Sequence, residues 1–250
     1  MARAALPGRL TWQLATVVEV AAETAQTSSL VLDAPKWGGH HAGQHVDVRL
    51  TAEDGYEAQR SYSIASAPED RQLVLTVERL EDGEVSPYLV GELRAGDELE
   101  LRGPIGGYFI WRQADGGPVQ MIAGGSGIVP FRSMLRHRAA VGSSAAVRLL
   151  CSARSLEDVI YREELEPLAA GDEAFDLRFT LTREWPEGWT GHRGRIDQAL
   201  LEQVAFKPAD QPLTYICGPS GFVEAAAGWL VAGGHDPRHI RTERFGPSGA

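Results

Sequence analysis

Val119-Gln120-Met121-Ile122-Ala123-Gly124-Gly125-Ser126-Gly127-Ile128-Val129-Pro130 joins a mostly apolar run to a glycine turn and then to a proline suited to opening a helix. The run reads as a buried strand, Val119–Ala123, and a helix is expected from Pro130 to about Ala140. Glycines at such a turn let the main chain approach a phosphate, and the helix N-terminus offers free N–H groups and a positive dipole end. Pro130 fits the first turn, where no N–H is needed. A tight strand–helix turn without a ligand is the alternative reading. The spacing is not GxGxxG, which argues against an ordinary Rossmann dehydrogenase.

Further along the chain the same alternation continues. Val147–Cys151, Leu177–Leu181, Leu213–Cys217 and Ile240–Phe245 read as strands, with helices expected over Ser155–Ala169 and Phe222–Val231. Strand–helix alternation implies parallel strands with right-handed crossovers, hence a doubly wound sheet. Before it lies a polar, turn-forming segment, Gln113-Ala114-Asp115-Gly116-Gly117-Pro118, read as a domain boundary. The N-terminal part reads as strands. Trp12, Leu14, Thr16, Val18 and Val20 share one face of an alternating run, and Leu99 and Leu101 alternate with Glu98, Glu100 and Arg102. Ser29–Leu32, His45–Leu50, Arg60–Ile64 and Gln72–Val77 lie between, with one helix-compatible stretch from Ser86 to Leu93. Six short strands with turns predict an antiparallel barrel or sandwich. The expected division is therefore residues 10–112 and 118–250.

The 250 residues carry 24 Lys plus Arg and 34 Asp plus Glu, a formal charge of −10. That balance argues against binding duplex nucleic acid over an extended face. No apolar run is long enough for a membrane helix, and the first eight residues carry no signal-peptide core, so a soluble, cytoplasmic protein is expected. Cys151 and Cys217 stand far apart, which excludes a disulfide scaffold and a thiolate zinc site. His40, His41 and His45, without nearby carboxylates or thiolates, read as structural, and no metal site is expected.

Four further segments can carry chemistry. In Arg60-Ser61-Tyr62-Ser63 the period of two puts Arg60 and Tyr62 on one face, a cation for phosphate beside a ring for a flat heterocycle. An edge strand with a solvated Arg is the alternative. In Gly83-Glu84-Val85-Ser86-Pro87, Ser86 reads as an N-cap, with or without a phosphate at that helix. Cys217-Gly218-Pro219 ends a parallel strand, where open α/β sheets bind ligands; Cys217 is either a buried small hydrophobe or part of that site. Glu243 and Phe245 share one face of the last strand.

Jointly these segments resemble the ferredoxin–NADP reductase superfamily. Arg60–Ser63 is similar to its flavin motif Arg-x-Tyr-Ser, and Gly83–Ser86 to its flavin-phosphate helix. Gly103-Pro104-Ile105-Gly106 is similar to the turn closing its barrel, Gly124–Pro130 with Phe131-Arg132-Ser133 to its pyridine-nucleotide loop, and Cys217-Gly218-Pro219 to its nicotinamide strand end. The order matches from about Leu10 to Phe245. The resemblance implies an antiparallel six-stranded FAD-binding barrel followed by a doubly wound NAD(P)-binding domain, with hydride passing from NAD(P)H to FAD and electrons leaving for an acceptor.

On that resemblance Arg60 and Ser61 lie at the flavin, Arg60 pairing with its phosphate and Tyr62 stacking on its ring, while Ser63 bonds near the reacting nitrogen. Thr76, Val77 and Glu78 line the cofactor, although the family often has Lys where Glu78 stands. Gly83, Val85 and Ser86 hold the pyrophosphate, and this segment favours FAD over FMN. Gly125, Ser126, Gly127 and Pro130 bind the pyridine nucleotide. Arg154, Thr182 and Arg183 favour NADPH, with NADH as the other possibility. Cys217, Gly218 and Pro219 sit beside the nicotinamide, Glu243 near the reacting centre, and Phe245 over the flavin face. Two cysteines cannot hold an iron–sulfur cluster, so the acceptor is expected to be a separate redox protein: a ferredoxin, a haem protein or a molybdenum protein. A non-enzymatic FAD-binding electron-transfer subunit or redox-sensing module is the alternative function.

Overall fold

A computed structural model describes residues 10–246; the expectations for the first eight residues and for the tail after Gly246 fall outside it. The first half forms β1 (Gln13–Thr24), β2 (Thr27–Asp33), β3 (His45–Thr51), β4 (Glu57–Ser63), β5 (Leu73–Glu78), α1 (Ser86–Gly91) and β6 (Glu98–Ile105). Its six strands pair antiparallel in the order β4-β3-β6-β1-β2-β5. The two end strands, β4 and β5, meet through a single antiparallel bridge between Ile64 and Leu75, which closes the sheet into a barrel with an unzipped seam. Leu30, Leu32, Val46, Val48, Leu75, Val77, Leu99 and Leu101 fill the interior.

The second half forms β7 (Val119–Gly124), α2 (Val129–Ala140), β8 (Val147–Ala153), α3 (Arg162–Gly171), β9 (Phe175–Leu181), β10 (His192–Arg193), α4 (Gln198–Val204), β11 (Leu213–Pro219), α5 (Ser220–Ala232) and β12 (Ile240–Phe245). All six strands run parallel, in the order β10-β9-β8-β7-β11-β12. Strand order reverses beside β7, placing the Gly124–Pro130 turn at the switch point where such sheets bind ligands.

The two halves share an apolar core. Ala42 and Ala65 of the barrel, and Phe109 and Trp111 of the connecting segment, pack with Phe131, Met134 and Tyr215. The chain thus enters the second core before it reaches Gln113–Pro118. The Ile110 carbonyl accepts from Tyr215 Oη at 2.7 Å and from Arg241, fixing this strap to β11 and β12. Polar clasps add to it: Ser133 Oγ donates to Ser66 O at 2.6 Å, His137 Nδ1 lies 2.8 Å from Glu69, and Arg136 bridges Asp70 and Glu164.

Several expectations need correction. The buried face of β1 is Ala15 and Val17, each 1% exposed, whereas Leu14 and Val18 face outward. Pairing decides this: Ala15 sits opposite buried Leu99, and a bulge between Val17 and Glu19 shifts the register beyond. The helix expected over Ser155–Ala169 begins only at Arg162. Asp158 accepts from the Ser155 amide and hydroxyl in a local turn, and Tyr161 takes a left-handed conformation (φ 62°). Ser86 is not an N-cap. Val85 precedes the helix, and Ser86 Oγ instead accepts from the Leu80 amide at 3.0 Å. The strand β10 and helix α4 add to the elements expected from the sequence.

Candidate active site at the barrel seam and the switch point

Continuing the Ile64–Leu75 register along the seam sets Ser63 opposite Thr76 and Tyr62 opposite Val77, yet no ladder pairs them. Arg60 and Tyr62 share the face whose partners in β3 are buried Val48 and Val46. Tyr62 is half-buried against the barrel core, and burial pushes its phenol pKa up, so it stays neutral. The Arg60 guanidinium is 45% exposed and is held by Glu84. Ser61, on the opposite face, donates to Asp47 at 2.7 Å, and Asp47 also binds Arg102.

Across the seam the three residues of β5 differ. Thr76 is buried, its hydroxyl engaged by Ser29 at 2.8 Å and by Tyr161 Oη. Val77 is sealed in the core, so only its main chain faces the gap. Glu78 is half-buried, and one of its oxygens lies 3.7 Å from where a Cβ on Gly125 would stand. Gly83 stands beside them at the start of the α1 turn, where a Cβ would come 2.9 Å from Ser86 Oγ.

In the parallel sheet, Gly125 adopts φ +55°, and a short 3-10 turn over Gly125–Ile128 leads into α2, with Pro130 in its first turn. A Cβ on Gly127 would stand 2.1 Å from Cys217 O and 2.9 Å from the Gly218 amide. Only glycine allows these two main chains to run together, and Ser126 lies between Gly125 and Gly127 on the turn. Gly218 is packed against Phe222 and Gly124, and Pro219 ends β11.

Cys217 and Glu243 are register partners between β11 and β12. Burial, with the Glu243 charge adding to it, holds the Cys217 thiol protonated. Glu243 Oε1 lies 3.4 Å from His45 Nδ1, and its Oε2 is buried with no hydrogen-bond partner among the described residues. His45 in turn pairs with Ser63 across β3 and β4. Ser63, His45, Glu243 and Cys217 thus form one line across the two domains. The sequence reads His45 as structural, together with His40 and His41, and offers no spacing that links it to Glu243. His40, by contrast, is engaged with Trp37 and Ser66 O, and burial lowers its pKa. Phe245 sits at the end of β12 opposite Pro219 and is 36% exposed.

Arg154 and Arg183 are exposed at the adjoining ends of β8 and β9, where the Arg183 amide donates to Arg154 O at 2.9 Å and the Thr182 amide to Ala153 O. Neither Arg side chain is paired with a carboxylate among the described residues.

This arrangement fits a flavin between the seam and the switch point and a dinucleotide on the glycine turn. The close approach at Gly127, the unpartnered Glu243 oxygen and the cation at Arg60 are in keeping with that fit. The fold defines the class: two domains, one of the kind that holds a flavin and one of the kind that holds a pyridine nucleotide. Residues 13–110 match the model for the oxidoreductase FAD-binding domain, and residues 121–228 that for the oxidoreductase NAD-binding domain. The chain belongs to the ferredoxin–NADP reductase family.

A ferredoxin–NADP reductase B of Sorangium cellulosum is 38% identical over 213 residues, 82% of this chain and 84% of that relative. A glycine betaine monooxygenase reductase subunit of Chromohalobacter salexigens is 34% identical over 93% of this chain, which spans 64% of that relative's length. Among solved structures, the FAD/NAD-binding domain of a Vibrio cholerae nitric oxide dioxygenase superposes with a TM-score of 0.84 at 27% identity, over 94% of this chain and 99% of that one. A cytochrome P450 reductase of Amycolatopsis does so at 0.83 and 29%, over 95% and 71%. No described helix is long and apolar enough to cross a membrane.

Proposed function

We propose that the chain accepts hydride from NADPH, with NADH as the second coenzyme, and releases the electrons to a separate redox protein, dividing the work between residues 10–112 and 118–250. The single observation that carries this reading is the line Ser63–His45–Glu243–Cys217, which joins the seam of one domain to the switch point of the other. FAD, when bound, supplies the conversion of a hydride into electrons passed on singly.

The protein's part is binding, orientation and charge. Arg60 offers a guanidinium to a phosphate, and Tyr62 a flat neutral ring for stacking. Ser61 steadies the strand through Asp47; Thr76, Val77 and Glu78 form the opposite bank of the seam, and Gly83, Val85 and Ser86 bring the α1 turn to a pyrophosphate. Gly125, Ser126, Gly127 and Pro130 present the main chain and a helix start to a pyrophosphate. Arg154 and Arg183, with Thr182 beside them, offer cations to a ribose phosphate, which favours NADPH. Cys217, Gly218 and Pro219 form a close-packed wall beside a nicotinamide. Ser63 and Glu243 supply polar groups at the reacting centre, and Phe245 covers the flavin face.

The acceptor is a separate protein of the ferredoxin, haem or molybdenum class, and the relative named a reductase subunit supports this division of labour. A cytoplasmic setting suits these soluble coenzymes. The purified protein should be yellow and should bleach on anaerobic addition of NADPH. A yellow protein inert to both coenzymes would favour the redox-sensing module, and a colourless one would remove the flavin reading.

A further inference from the structure

Arg60 Nη2 meets Glu84 Oε2 at 2.6 Å, and the other Glu84 oxygen accepts from Tyr56 Oη at 2.7 Å. The remaining hydrogen bond of the Arg60 guanidinium is local, from Nη1 to Gln59 O. Glu84 directly precedes Val85 and Ser86 and shares its loop with Glu81 and Asp82. Three carboxylates in four residues are an unexpected neighbourhood for a phosphate site, because each repels the incoming anion. A carboxylate and a phosphate use the same planar fork of a guanidinium, so one occupies it at the expense of the other.

We infer that Glu84 is an internal anion that competes with the flavin phosphate for the guanidinium of Arg60 and so sets flavin affinity. The inference rests on the assignment of Arg60 to the flavin phosphate. Two features suit Glu84 to the role. The pair is nearly half exposed, 45% and 48%, so solvent screens it and a phosphate can displace it. Tyr56, itself 57% exposed, gives the displaced carboxylate a second anchor. The Tyr56 and Arg60 hydrogen bonds hold the Glu84 carboxyl below its usual range, so the competitor remains charged throughout the neutral range. The design makes flavin exchangeable rather than permanently held.

The test is dilution of the full-chain holoprotein, with FAD release read by flavin fluorescence, for wild type, Glu84→Gln, Arg60→Ala and the double variant. Glu84→Gln should tighten FAD binding about two- to fivefold, the range of an exposed ion pair. Arg60→Ala should weaken it tenfold or more, and adding Glu84→Gln in that background should change little. Weaker or unchanged binding in Glu84→Gln, with Arg60→Ala still weak, overturns the inference and leaves the Arg60 assignment standing. An equal tightening in the Arg60→Ala background shows that the carboxylate acts without the fork and also overturns it. Unchanged binding in Arg60→Ala removes the Arg60 assignment itself.

Discussion

His45 Nδ1 lies 3.4 Å from Glu243 Oε1, a contact between the start of β3 in the barrel and β12 of the parallel sheet. Through the Cys217–Glu243 register this polar link reaches the Cys217 end of β11 from the barrel side. Glu243→Gln and His45→Ala should each slow coenzyme-driven flavin reduction tenfold or more, within the range that positioned proton-handling groups contribute. The unfolding midpoint should move little, since both side chains are partly exposed. Stopped-flow absorbance measures the rate; wild-type rates in both variants would detach this line from the chemistry.

Phe245 stands at the strand end beside Pro219. A ring that covers the flavin competes with nicotinamide, and an aromatic stack is worth about 0.5–1.5 kcal/mol beyond its area. Phe245→Ser should therefore tighten binding of oxidised coenzyme several-fold while turnover falls, a pairing unlike simple loss of binding. Unchanged affinity in a titration with oxidised coenzyme would place the ring elsewhere.

Arg154 and Arg183 carry the coenzyme preference on the reading given above. Neutralising both should raise the Michaelis constant for NADPH and leave that for NADH nearly unchanged, because only the 2′-phosphate needs the charge. Equal effects on the two coenzymes would point to damage at the β8–β9 edge instead.

Glu164 gives a pH signature. Burial alone would raise its pKa, but hydrogen bonds and charge from Arg136 and Arg132 outweigh burial and hold the carboxyl below its ordinary value. A folded pKa below the unfolded value of about 4.3 means the contribution is complete above that pH and disappears as pH falls through the folded value. Thermal unfolding from pH 7 to pH 3 should show an acid-side loss in wild type that is shallower in Glu164→Gln, with the variant already less stable at pH 7. Parallel curves would mean that Glu164 is energetically silent.

The strands were legible because their periodicity is local. Leu99 and Leu101 announce a buried face by themselves, and the glycine turn at 124–127 declares a close approach whose partner, Cys217 O, only the fold reveals. The face of β1 was not legible, because the opposing residue Leu99 and a bulge decide it rather than the hydrophobicity of Leu14 and Val18. The delayed start of α3 depends on the left-handed Tyr161, whose ring is drawn inward to Thr76 on the other domain. The His45–Glu243 contact joins residues near opposite ends of the chain. Such pairings arise from topology and leave no spacing to read.

The unzipped seam between β4 and β5 has a consequence for how this protein tolerates sequence change. Where a ladder is left open, the polar groups offered to a guest belong to the peptide backbone, and they persist whatever side chain is attached. A side-chain change at Ser61 leaves that inheritance intact, so an alanine scan of the gap's outward positions would under-report its importance. Proline is the substitution that discloses it, because proline alone deletes an N–H. Two lineages could therefore share little along these strands and still cradle the same heterocycle, one gap serving many sequences.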